Sequence, residues 1–382
     1  MSSPTFKVAV VGPSRVGKTT MLNAILADTN KLLGGTSVEV ALDEQTGARV
    51  RRQEGELRRA IEQREFNAAA LRGTDGIVDY RVTLQSASDP AIQVPFHILD
   101  YPGRWLNPLQ RPQGIARWNE CEAHIKNSMM LLVPIDSAVL MESSSAQRAA
   151  RYELLGVLDV ETMVRAWARA RNLEEHRLEP AVLVLAPLKC EKYFNDNGGN
   201  RNDGAKLRER VREVYQTMFE VLREEAQHRK IKIMYVPIDT YGCVELIDAQ
   251  WIKAEDQDGV PMTDFSAHYR FRGHPPKRSV KAAGVVVQEL CRCLMEGQAT
   301  LEKAQQRLAR ARVNDLVARD NEAKGFWGTI GYHLGGERSE NRLERVRTGQ
   351  DIQTRERRVA ALQADLQRMA ELPNDPRAEE WY

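Results

Sequence analysis

Near the start of the chain an apolar run, Val8 to Val11, stops at Gly12. The residues Gly12-Pro13-Ser14-Arg15-Val16-Gly17-Lys18-Thr19-Thr20 then lead directly into the helical pattern Met21, Leu22, Ile25 and Leu26. No other stretch restricts the fold as strongly, because a buried strand must turn through a glycine loop into a helix whose first N–H groups have no partners of their own. Gly12 and Gly17 allow the backbone to wrap so that consecutive N–H groups converge, and the helix dipole favours an anion at that point. Lys18 adds a positive point charge, and the Thr19 hydroxyl is suited to completing the octahedron of a Mg²⁺ ion. Gly12, Ser14, Arg15, Val16, Gly17, Lys18, Thr19 and Thr20 are therefore expected to cradle the phosphates of a nucleoside triphosphate.

Further short apolar runs at Lys7 to Val11, Val94 to Leu99, Ser128 to Ile135, Ala181 to Ala186 and Lys230 to Ile238 are separated by longer amphipathic stretches. That alternation predicts a parallel sheet covered by helices on both faces. Ile77 to Leu84 precedes Val94 to Leu99 across the polar turn Ser86 to Asp89 and adds an antiparallel edge, for six strands. Together with the glycine loop this predicts an α/β fold of the P-loop NTPase kind.

Two insertions interrupt the scheme, at about 31–73, charged and mostly helical in pattern, and at about 247–278, where Asp258-Gly259 between strand-like flanks predicts a hairpin. From Val285 a seven-residue repeat runs through Leu290, Leu294, Gly297, Leu301, Ala304, Leu308 and Ala311. A second helix from about Asn341 carries Ile352, Val359, Leu362, Leu366 and Met369. Small residues alternating with leucine predict an antiparallel, coiled-coil-like hairpin. The expected organisation is a P-loop domain over 1–296 and a helical hairpin with tail over 297–382.

The net charge of +2 provides no field that would draw a nucleic acid, and the aromatic content of 6% provides no stacking platform, so no nucleic acid is expected as a partner. Five cysteines, an odd number without paired metal-ligand spacing, argue against a disulfide framework and for a reducing, cytoplasmic setting. No stretch approaches the ~20 apolar residues of a membrane span, and the few residues before the first strand leave no room for a leader.

Phe96-His97-Ile98-Leu99 ends in Asp100-Tyr101-Pro102-Gly103, which places an acid at the carboxyl end of a strand predicted beside the glycine-loop strand. There it would hold Mg²⁺, while Gly103 would offer its N–H to the γ-phosphate. A P-loop followed by Asp-x-Pro-Gly resembles the translation-factor-related, or TRAFAC, class of GTPases over Phe6 to about Glu296. Asp100 to Leu106 also resembles the corresponding segment of bacterial YcjX-type and double-GTPase-type families. The resemblance implies GTP or GDP as ligand and a threonine before the second strand that senses Mg²⁺ and γ-phosphate, for which the candidates are Thr74 and Thr36. Many members carry a water-orienting glutamine after the Asp-x-x-Gly motif. Here Arg104 occupies that position, so Arg104 or Arg15, with Lys18, would stabilise transition-state charge.

After the strand Ala181 to Ala186, Pro187-Leu188-Lys189-Cys190-Glu191 occupies the place where these GTPases read guanine. The Lys189 stem would lie over the base, and Glu191 would accept two hydrogen bonds from it. Leu188 replaces a polar residue and Glu191 replaces aspartate, which puts strict guanine selection in doubt. Tyr241 and Gly242, after the last strand, lie where the class makes its backbone contact to the base. The aromatic connection at Phe326, Trp327 and Tyr332 is either a contact for a protein partner or a peripheral membrane, or a satellite core. The expected activity is a slow, regulatory GTPase switch, with a non-hydrolysing nucleotide-binding scaffold or an ATPase as rival readings.

Overall fold

The computed structural model describes residues 5–63, 66, 76–108, 111, 116–173, 176, 179–226, 230–255, 261–296 and 349–381. Thr74 and the aromatic segment Phe326 to Tyr332 lie outside the described residues, as do most of the first C-terminal helical repeat and the Asp258-Gly259 turn.

The core is an α/β layer structure around a mixed, mostly parallel sheet, an arrangement compatible with a Rossmann-like or P-loop fold. Five strands run parallel: β1 (Phe6–Val10), β4 (Asp89–Asp100), β5 (Met130–Asp136), β6 (Val182–Leu188) and β7 (Lys232–Tyr235). β2 (Val38–Leu42) and β3 (Val78–Ser86) extend the β4 side antiparallel, and the two-residue β10 (Glu379–Glu380) pairs antiparallel with β7 at the opposite edge. The order is β10-β7-β6-β5-β1-β4-β3-β2. The described sheet thus has eight strands, where the sequence predicts six. The two additional strands come from the first insertion, expected to be mainly helical, and from the C-terminal tail.

Alternation along β1 shows how the strands feed two cores. Phe6, Val8 and Val10 face α1 (Lys18–Leu32), α9 (284–296) and α10 (Gly349–Glu371), whereas Ala9 and Val11 face the layer holding α3 (Ala116–Lys126), α6 (Val157–Arg171), α7 (Gly204–Val214) and α8 (Gln216–Glu225). A strand buried on both faces reads as a continuous apolar run, and β5 and β6 are buried at every position. α2 (Glu44–Gln63) lies over β3 with Thr46 accepting the Arg81 N–H, so the first insertion is partly built into the sheet edge.

The second insertion forms the expected hairpin, β8 (Val244–Glu255) and β9 (Pro261–Phe271), as a separate two-stranded sheet. Trp251 and Phe265 pair across it and pack on the second core. Most of the hairpin predicted from 297 onward, residues 297–348, lies outside the described residues. In its described part, Leu362, Leu366 and Met369 of α10 are buried in the main core and Ser37 donates to Asp365. Arg292 of α9 donates to the Ala370 carbonyl at 2.8 Å, and Trp381 stacks on Tyr235. Apolar α10 residues gain more by covering an open sheet face than by pairing only with another helix, which joins this segment to the first domain. No helix among the described residues is long and apolar enough to cross a membrane.

Candidate functional site

β1 lies between β4 and β5, with the chain running on from β1 toward the β4 side and from β5 toward β6, the kind of switch point at whose carboxyl ends α/β sheets place ligands. The glycine loop lies there. Val16 is buried and anchors the loop in the core, while Ser14 and Arg15 are exposed at its crest. Gly17 caps α1 with φ 105°, a conformation that L side chains rarely adopt. Arg15 has φ 63° without being glycine, and Lys189 beside the loop has φ 57°. Two non-glycine residues held in the left-handed region at one locus are a strain that the surrounding structure must hold in place, and such strain clusters at functional sites.

Lys18 is 7% exposed and folds back into the loop, donating to the Gly12 carbonyl at 3.1 Å and the Pro13 carbonyl at 2.9 Å. Burial lowers its pKa to about 8, and the Asp100 carboxylate opposes that shift. Beside it the Thr19 hydroxyl donates to Asp100 Oδ2 at 2.9 Å, and Asp100 is fully buried at the end of β4. A hydroxyl and a carboxylate oxygen in contact are hard donors of the kind Mg²⁺ selects, so these two residues fit that ion. Held by Thr19 and Asp100, Mg²⁺ would supply positive charge to offset that of the phosphates.

Gly103 opens a 3₁₀ turn (Gly103–Leu106) packed on the loop, and a Cβ at this position would overlap the Pro13–Ser14 peptide. The turn is thus seated against the loop crest. Arg104 within it is exposed.

On the other side of the loop, Lys189 Nζ donates to the Arg15 carbonyl at 3.1 Å and forms an ion pair with Asp136. Asp136 also caps α4 (Ser137–Met141) by accepting from Ala138 N at 3.0 Å and Val139 N at 3.2 Å. Leu188, in place of a polar residue, is buried and reaches to 3.4 Å of a Cβ placed on Gly17. Glu191 is 5% exposed, and its Oε1 accepts from the backbone N–H groups of Tyr241 and Gly242, each at 3.3 Å. Burial, then the Asp239 charge, pushes its pKa up to about 7. Gly242 has φ 68°, and a Cβ there would overlap the Ser279 carbonyl, so its close approach is to Ser279. The Tyr241 hydroxyl shares a hydrogen bond with Thr20 at the start of α1.

The structure therefore brings Gly12, Ser14, Arg15, Val16, Gly17, Lys18, Thr19, Thr20, Asp100, Gly103, Lys189, Glu191, Tyr241 and Gly242 together around the glycine loop. Thr36 is elsewhere. Its hydroxyl donates to Leu33 O at 2.9 Å in the turn before β2, whose Val38 pairs with Ser86, whereas Asp100 pairs with Val78 at the other end of β3. Eight residues of strand separate the two ends, ~26 Å at ~3.3 Å per residue, so Thr36 is not a candidate for the metal.

Sequence reading overlooked Asp136, Asp239 and Arg377. Asp136 carried the same signal as Asp100, an acid closing an apolar strand. Arg377 had no local signal at all, because its partners Asp239 and Asp196 lie more than a hundred residues away. The chain matches no protein-family model and no curated protein.

Proposed function

We propose that this protein binds a nucleoside triphosphate with Mg²⁺ at the carboxyl end of β1, prefers guanine, and hydrolyses slowly as a regulatory switch of the TRAFAC-like P-loop kind. The observation that carries the reading is the Thr19–Asp100 hydrogen bond beside Lys18, in a loop that runs from a buried strand into a glycine-capped helix. Lys189, tied to the loop through the Arg15 carbonyl, supports a base site adjoining the phosphates. With Arg104 where a glutamine would orient water, slow hydrolysis follows, and protein partners reached through the C-terminal segment would read the nucleotide state.

The test is GTP binding with and without Mg²⁺, followed by single-turnover hydrolysis. Arg104→Ala should slow the chemical step while leaving GTP affinity nearly unchanged, whereas Arg15→Ala, in the loop that would hold the phosphates, should slow it and weaken binding. Absence of Mg²⁺-dependent nucleotide binding would overturn the reading, and binding without turnover would leave a scaffold. One observation favours a second reading of the base. Glu191 spends one carboxylate oxygen on the Tyr241 and Gly242 amides, so selection between GTP and ATP would be weaker than a free aspartate gives. Direct competition between the two nucleotides separates these readings.

A further inference from the structure

Asp239, beyond the segment Val236 to Ile238 that follows β7, is fully buried and lies within electrostatic reach of the buried Glu191. Two carboxylates in one low-dielectric pocket repel each other, and unless a cation balances them one must take up a proton. The balancing cation comes from the far end of the chain. Arg377 Nη1 is 2.8 Å from Asp239 Oδ2, its Nε donates to Asp196 at 2.9 Å, and its guanidinium lies 4.1 Å above the Phe194 ring. The Arg377 side chain is 4% exposed. Its position is fixed by the tail around it, since α10 is packed on the sheet, Glu379 and Glu380 pair with Tyr235 and Met234, and Trp381 stacks on Tyr235.

The other groups around the two acids do not replace this charge. Asn197 and Cys190 donate neutral hydrogen bonds to Asp239 at 2.9 and 3.2 Å. Glu191 lies within electrostatic reach of Cys190, Cys243, Tyr241 and Tyr269, none of which carries a positive charge. Of the other cations near this pocket, Arg272 is committed to the carbonyls of Asn197 and Gly242 at 2.6 and 2.7 Å, Lys281 meets Asp239 through its backbone N–H, and Arg278 lies within electrostatic reach of Tyr241 and Cys243.

We propose that Arg377 is a positioning residue for base selection: delivered by the C-terminal tail, it pairs with Asp239 and so partly offsets the negative charge beside Glu191, the carboxyl that would accept hydrogen bonds from a purine. This inference rests on the nucleotide reading above. It makes the tail part of the base site, so any event that undocks α10 and β10 would lower base selectivity without touching the glycine loop.

The experiment measures Mg²⁺-GTP and Mg²⁺-ATP affinities by calorimetry on the full chain, for wild type, Arg377→Gln, Arg377→Lys, Asp239→Asn and the double variant Arg377→Gln with Asp239→Asn. Arg377→Gln should reduce the GTP over ATP preference about tenfold, the loss expected for one charge-assisted contact, while ATP affinity stays near wild type. Arg377→Lys should restore most of it. The double variant should also recover, because it removes the charge that Arg377 balances; a residue that merely pins the tail would not be rescued this way. An unchanged preference in Arg377→Gln, an equal loss of both nucleotides, or a double variant no better than the single would overturn the proposal. If Arg377→Gln fails to fold, the double variant decides: folding with intact preference supports charge balance, and failure to fold makes Arg377 a structural anchor and overturns it. A wild type that binds GTP and ATP equally overturns this inference alone, whereas one that binds neither overturns the nucleotide reading and this with it.

Discussion

Thr19, in the first turn of α1, and Asp100, at the carboxyl end of β4, are 81 positions apart in sequence and meet in a 2.9 Å hydrogen bond. Asp100 is held by the register of β4 on β1, and Thr19 by the first turn of α1 beyond the glycine loop. We expect Asp100→Asn to weaken Mg²⁺-GTP binding by about tenfold to a hundredfold, the range for losing a charged contact. Binding of GDP without Mg²⁺ should change little. Calorimetry with and without the metal checks this, and an equal effect in both conditions would remove Asp100 from the metal site.

Lys18 supplies a prediction with a definite sign. Burial lowers its pKa to about 8 in the free protein, and phosphate oxygens beside it would raise that value. Above pH 8 the bound form therefore holds more protons than the free form, so affinity should fall as pH rises, by up to about tenfold per pH unit. Calorimetry at pH 8.5 in two buffers of different ionisation heat should register proton uptake on binding. Lys18→Ala should abolish both the uptake and the binding while leaving the fold intact.

Gly103→Ala puts a methyl group into the Pro13–Ser14 peptide. Forcing extra volume into packed backbone costs roughly 1 to 3 kcal/mol, and the strain falls on the loop crest. A lowered melting temperature together with weakened GTP binding is expected. Gly55→Ala, in α2 with nothing within 4 Å of the new Cβ, is the control and should be neutral or stabilising by about 0.5 to 1 kcal/mol. Equal behaviour of the two variants would mean the 3₁₀ turn is not seated on the loop as described.

Much of this architecture is legible from local pattern. The strand, glycine loop and helix at 8–26 announce themselves because every signal needed lies within twenty residues, and β5 and β6 read as strands because both faces are buried. The antiparallel pairing of β8 and β9 is legible from the strand-like flanks around an Asp-Gly dipeptide in the sequence. β2 is hidden because Val38–Leu42 buries only its first residue and is flanked by charge, and β10 because two residues carry no period. The site divides in the same way. The Lys-x-Glu spacing places Lys189 and Glu191 beside the glycine loop, but the Glu191 orientation is decided by the Tyr241 and Gly242 amides fifty residues on. The Arg377 ion pairs are invisible to any window along the chain, because charge pairing leaves no periodic trace.

The last prediction concerns Glu191 itself. Its pKa is pushed up to about 7, first by burial and then by Asp239, from an ordinary value of 4.5. A carboxyl whose folded pKa is raised contributes stability that is present below its unfolded pKa and is lost as pH rises through the folded value. Wild type should therefore lose stability through this group between about pH 4.5 and pH 7. Glu191→Gln does not titrate, and its amide oxygen can still accept from Tyr241 and Gly242, so its melting temperature relative to wild type should increase from pH 5 to pH 7.5. Glu191→Ala leaves two buried N–H groups without an acceptor and should be destabilised at every pH, by roughly 1 to 3 kcal/mol for each group. Both variants should lose guanine preference, since neither offers a carboxylate to the base. Thermal melts at the two pH values, paired with GTP and ATP affinities, separate the roles. A Glu191→Gln difference that does not change with pH would show that the carboxyl titrates in the ordinary range, and a preference unchanged in both variants would place base selection outside this loop.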